Sequence, residues 1–250
     1  MVHGATRREV LTWALGGYAL VRTLLGQEAL AGPVRKEVQA WISRTHQLCA
    51  DVRGQKIAPR EWQRQVEELY ARVPLPELLR AIDFDRLRPG FTLPDNRAEA
   101  MNVPLPEVEG MPRVFGTKLF GMQQGRAIVP HGHRNMASMH VVLAGEFHLR
   151  HFERVEDQPE HLVLRSSIDR VSKPGELSSI SDQRDNVHWL VATKGPAYTF
   201  DLIVTELEPD RGFRWKIDHV DVDGAERLDG GLLRARRIEF DEAIRRYGKT

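Results

Sequence analysis

The chain has 250 residues, enough for one substantial core with an accessory segment and too few for two full-sized domains. Its 36 basic and 35 acidic side chains are interspersed without long runs of one sign, which excludes the electrostatic footprint of a nucleic-acid-binding protein. A single cysteine, Cys49, excludes an intramolecular disulfide and a thiolate-rich metal site, so any metal must be held mainly by His, Asp or Glu.

Residues 1–31 can be read in two ways. Thr6 to Leu11, TRREVL, resembles a twin-arginine export consensus, WALGGYALV follows as a short apolar stretch, and Ala29-Leu30-Ala31 has the small-x-small form of a cleavage site. Arg22 interrupts the apolar stretch, and the same residues also make one face of an amphipathic N-terminal helix. The first reading implies a periplasmic or exported protein, the second a cytoplasmic one. No segment reaches the roughly 20 apolar residues of a membrane span, so no stable span is expected.

Residues 32–95 read as a helical segment. Val34, Val38, Trp41 and Ile42 recur at helical spacing after Pro33, and this helix should stop near Gly54. A second helix starts at Pro59 with Trp62, Val66, Leu69, Tyr70 and Val73, and VPLPELL allows a third, shorter one. Trp41, Trp62 and Tyr70 are expected to pack; His46 and Cys49 are expected to be a partly buried surface pair. Residues 86–112 are rich in Pro, Asn and charge without a period, and read as a linker over the surface.

Residues 96–220 then carry short β-type runs separated by turn residues at intervals of about ten residues: 113–122, 125–130, 138–145, 146–155, 160–165, 187–193, 198–207 and 213–222. This is the pattern of a mainly β sandwich or barrel. Residues 221–250 read as a C-terminal extension ending in a helix that packs outside.

The chemistry concentrates in PHGHRNMASMHVVLAG, residues 130–145. On a strand His131 and His133 share a face and can offer two imidazoles to one ion, although two such histidines can equally be polar groups of a pocket. The surrounding spacing is more specific. Gly125 is followed by five residues, His131-Gly132-His133, four residues, Ser138, six residues and Gly145. This resembles the first motif of the cupin superfamily, with Ser138 where ordinary cupins have glutamate. The second general cupin motif fits poorly, with Gln183 and Asp185 at its Pro and Gly positions and Ala192 at its final Asn. Instead, Asp185 to Val204 resembles the corresponding stretch of cysteamine dioxygenases and plant cysteine oxidases, through Asn186, His188, Ala192, Gly195, Pro196, Ala197 and Asp201.

The resemblance spans roughly residues 114–206 and implies a cupin double-stranded β-helix (jelly-roll) barrel behind an N-terminal α-helical segment, with Fe(II) held by His131, His133 and His188. Three neutral ligands leave about three positions open and offset none of the ion's charge, which suits a thiolate and dioxygen. The implied activity is oxidation of a small aminothiol or a peptide cysteine to a sulfinic acid. The alternative is a non-enzymatic cupin using the same histidines for Zn or Ni as a sensor or binding module. A homodimer through edge strands is a further expectation.

Other residues leave their roles open. Ser138 can bond a ligand or fill space. His140, on the same strand face, can bond a metal ligand or substrate, or be a satisfied core histidine. Asp201, in an apolar strand, needs a partner and can orient a histidine. Ser138, His140 and Asp201 are thus the candidates for catalysis, while Arg134, Arg184 and Tyr198 are the candidates for substrate binding. Trp189 can line the pocket or pack, and His148, His151 and His161 are expected to be exposed.

Overall fold

The computed structural model describes residues 36–249 apart from positions 104, 109 and 112, and Glu37–Thr250 forms one compact unit. The export-like stretch in residues 1–31 lies outside the described residues. Among those described, no helix is long and apolar enough to cross a membrane.

The helical stripes become α1 (Lys36–Arg53), α2 (Pro59–Tyr70) and α3 (Leu75–Ala81), followed by the short α4 (Phe84–Leu87). Pro59 sits in the first turn of α2, where its missing N–H costs nothing. Trp41, Trp62 and Tyr70 are buried in one apolar cluster with Leu119, Met139, Phe200 and Leu202 of the strands. Tyr70 meets Trp41 edge-on at 5.5 Å and stacks on Phe200 at 6.2 Å. His46 and Cys49 lie inside this cluster region rather than at the surface, at 3% and 0% exposure. Both ride on the inward stripe of α1, and burial pushes the Cys49 thiol far up from its usual range.

The strands are β1 (Glu99–Asn102), β2 (Gly116–Met122), β3 (Ala127–Arg134), β4 (Met136–Asp157), β5 (His161–Ser172), β6 (Leu177–Ile180), β7 (Val187–Thr205), β8 (Lys216–Leu228) and β9 (Leu232–Ile238). Antiparallel pairings run from β3 to β7, β4, β5, β9, β8 and back to β3, so this circuit closes on itself. The other ends of β4 and β7 stay paired with each other and carry β6 on one side, β2 and β1 on the other. The fold is therefore mainly β, a double-stranded β-helix barrel with N-terminal helices.

Three further features differ from the sequence reading. The surface linker contains β1, which pairs with β2 from Glu99 to Asn102. The barrel runs past residue 220, because β9 supplies the link between β5 and β8; α5 (Phe240–Tyr247) then covers Trp189 and Val129 from outside. Finally, the runs 138–145 and 146–155 are one strand, as are 187–193 and 198–205. Gly145 makes the bend in β4 at φ 73°, and a Cβ there would lie 2.4 Å from the Lys194 carbonyl oxygen and 2.6 Å from the Ala197 Cβ. Only glycine fits that conformation and approach.

Candidate metal centre

His131 and His133 come from β3 and His188 from β7. Pairing of these strands slips between Ile128 and His131, so a bulge re-aims His131 and sets it directly across from His188. Gly132 separates the two β3 histidines, and a Cβ on it would meet the Asn186 side-chain oxygen at 2.7 Å. Asn186 uses that proximity: its side-chain amide donates to the His133 carbonyl at 2.7 Å and to the Ser181 carbonyl at 3.0 Å, tying β3 to the chain just before His188. Asn135, at φ 60°, locks the turn that follows, accepting from the Glu208 N–H and donating to the Glu208 and Phe213 carbonyls.

The three imidazoles converge, with ring centroids 4.2 Å apart for His131 and His188 and 5.0 Å for His133 with each of the others. One nitrogen from each lies within 4.8 Å of the other two. Burial, reinforced by the neighbouring histidines, pushes His131 down to about 4 and holds His133 and His188 well below the usual imidazole range. All three are neutral near pH 7, as metal ligands must be. The His131 Nδ1 lies 2.8 Å from the Val129 carbonyl, which can only accept; Nδ1 therefore carries the proton and Nε2 has the free lone pair. Convergent, neutral, enclosed imidazoles fit a divalent transition metal.

Beside them lies a polar chain on β4 and β7. His140 pairs with Asp201 across the strands and donates from Nδ1 to the carboxylate at 2.6 Å, while Thr199 donates to the other carboxylate oxygen at 2.7 Å. The Ser138 hydroxyl is 3.4 Å from the His140 Nε2. Asp201, at 2% exposure, is thus a satisfied buried carboxylate held by a histidine that does not itself belong to the converging trio, although the His140 ring is 5.0 Å from that of His188.

The substrate-binding candidates are placed apart from one another. Arg134 bonds Asp218 at 2.6 Å and Asp157 at 2.8 Å, and Arg184 is held by Glu67 of α2 and by Ser179. Tyr198 packs between Phe84 and Phe91, each at 5.4 Å, in the apolar cluster under the helices. Trp189 packs on Tyr247 at 5.1 Å with Arg150 over its ring.

Two histidines extend the centre beyond those the sequence pointed to. His151, expected at the surface, is 0% exposed and directly across β4 and β7 from His188. His219 is directly across β3 and β8 from His131, with ring centroids 5.8 Å apart, and is half-buried beside Phe240. His219, His131, His188 and His151 therefore form a row in register across adjacent strands. His219 lies in HVDV of the last predicted run, whose alternation sets the valines on one face and His219 with Asp221 on the other, and only the β3–β8 register brings it beside His131. No signal existed for His151, which lies beyond the Gly145 bend.

No family model matches the chain, and no curated protein is a significant match to it. Among solved structures it is similar to KdgF from Halomonas sp., with TM-score 0.32 and 16% identity over 43% of this chain and 77% of that one. It is also similar to a cupin superfamily protein from Desulfitobacterium hafniense, with TM-score 0.30 and 12% identity over 46% and 82% of the two chains. A recombinant oxalate oxidase in complex with glycolate gives TM-score 0.36 and 18% identity over 47% of this chain and 55% of that one. Likeness of this degree carries no argument about chemistry; the fold rests on the strand circuit, and the centre on its own geometry.

Proposed function

We propose that the protein is an Fe(II)-dependent thiol dioxygenase of the cupin type, acting on a small aminothiol or a peptide cysteine. The observation that carries this reading is the all-imidazole donor set. Position 138 offers a serine, and the nearby buried carboxylate, Asp201, has both oxygens committed to His140 and Thr199. The overall reaction joins RSH and dioxygen to give RSO2H, with both oxygen atoms ending on sulfur and no further co-reactant.

When bound, Fe(II) would supply the redox-active centre at which thiol and dioxygen are brought together. His131, His133 and His188 would hold it as neutral ligands. Asp201 keeps the Nδ1 proton of His140 in place, so Nε2 of that ring faces the Ser138 hydroxyl as the polar contact beside the centre. Burial of His133, His140 and His188 to 5% exposure or less excludes bulk water, while His131 is only partly buried. The same three imidazoles also suit Zn or Ni, which gives a second reading, a non-enzymatic module that senses or binds a small molecule.

Oxygen consumption by anaerobically Fe(II)-loaded protein separates the two. A panel of cysteamine, cysteine and an N-terminal-cysteine peptide should give uptake with at least one thiol, and His188→Ala should abolish it. Tight metal binding with no uptake would favour the sensor or binding module.

A further inference from the structure

His151 is fully enclosed, yet both of its ring nitrogens lack a hydrogen-bond partner among the described residues. Buried polar groups are almost always bonded, so an imidazole in this state marks a place where something else is held. Its surroundings identify the partner. The Nδ1 atoms of His133 and His188 are enclosed and unpartnered in the same way, and of these two ligands it is His188 that lies directly across from His151, with ring centroids 6.1 Å apart.

The contrast with His131 gives the pattern. There Nδ1 is anchored on a backbone carbonyl, which fixes the tautomer and the ring's direction. A ligating histidine needs such an acceptor behind it. Of the other groups around His188, His140 has its Nδ1 proton on Asp201 and its Nε2 in a long contact with Ser138, which makes that nitrogen the competing acceptor, while Arg170 and Arg184, whose charges act on His151, only donate; His151 differs in having both nitrogens enclosed and unbonded among the described residues. His151 is neutral in this enclosure and has one nitrogen free to accept.

We propose that His151 is the positioning residue for His188: through one bridging water it accepts the Nδ1 proton of His188 and so leaves the Nε2 lone pair of His188 for the metal. This rests on the three-histidine metal reading and is independent of which reaction the centre performs.

The test compares Co(II) and Zn(II) affinity, by competition with a chromophoric chelator, in the wild type, His151→Phe and His151→Gln. His151→Phe should bind roughly 10- to 100-fold more weakly, the loss typical of removing a ligand's supporting bond. Its Co(II) absorption bands should also shift, while the metal-free protein still folds cooperatively, because an apolar ring of similar shape fills the same enclosed space. His151→Gln, which retains an acceptor, should recover part of the affinity. Histidine-ring nitrogen NMR of Zn(II)-loaded wild type needs no variant and should show the proton on His188 Nδ1.

Wild-type affinity and spectrum in His151→Phe would overturn the proposal, as would metal on His188 Nδ1. A wild type that binds neither ion would overturn both this proposal and the metal reading. His151-dependent metal binding without thiol oxidation would support the proposal and overturn the dioxygenase reading alone.

Discussion

The paired outer halves of β4 and β7 have two faces that could hardly differ more. One carries Ala137, Met139, Val141, Phe200, Leu202 and Val204, all packed in the apolar cluster that includes α1 and α2. The other carries Ser138, His140, Thr199 and Asp201, bonded in a chain beside the histidines. Strand alternation places these sets one residue apart in sequence and on opposite sides of the same ladder. Stability is concentrated on one side and candidate chemistry on the other, so substitutions on neighbouring residues should separate the two properties.

The sharpest break is expected at Phe200, fully buried on the apolar face. Phe200→Ala should cost roughly 3–5 kcal/mol of stability by chemical denaturation, while the fraction that stays folded keeps its metal affinity. Acid should act from the other face. Burial holds His151 down at about 3 and His131 at about 4, against about 6.5 in an unfolded chain. The unfolded state then binds more protons, so stability of the metal-free protein is full above about pH 6.5 and falls as pH drops toward 3. A loss on the order of a few kcal/mol by pH 4 is expected in denaturant titrations, and a pH-independent stability between 7 and 4 would contradict the assignment of these rings as buried and neutral.

Smaller effects should grade along the polar chain. Asp201→Asn removes the charged partner of the His140 Nδ1 and should cost about 1.5–3 kcal/mol, with metal affinity changed far less than stability. Ser138→Ala should be the mildest, below about 1 kcal/mol, because its contact with His140 at 3.4 Å is already long for a hydrogen bond. A Ser138→Ala variant that loses metal binding would show that the hydroxyl, and not the imidazole set alone, builds the centre.

The same comparison explains what could be read from sequence. Helical stripes and the local spacing of His131, His133 and Ser138 are short-range patterns, and the structure keeps them. His188 was reached through resemblance, and the β3 bulge that sets it opposite His131 leaves no mark in the spacing. His151 was hidden for a physical reason. Pairing of β4 with β7 slips between Val142 and Ala144, Ala144 and Glu146, and Glu146 and Phe147, so the parity that turns His140 inward cannot be carried along the strand. β9 was hidden by its arginines, since Arg234, Arg236 and Arg237 face ion-pair partners Glu226, Glu242 and Asp157 while Ala235 turns inward. β1 was hidden by its surroundings of Pro, Asn and charge.

The most direct measurement of the central claim is product analysis after a single anaerobic loading of Fe(II), with a thiol found active in the uptake panel and isotopically labelled dioxygen. A sulfinic acid carrying label in both oxygens, formed by wild type and absent from His188→Ala, is the result this account predicts. A disulfide product, or a sulfinic acid without label, from protein with its metal in place would contradict it.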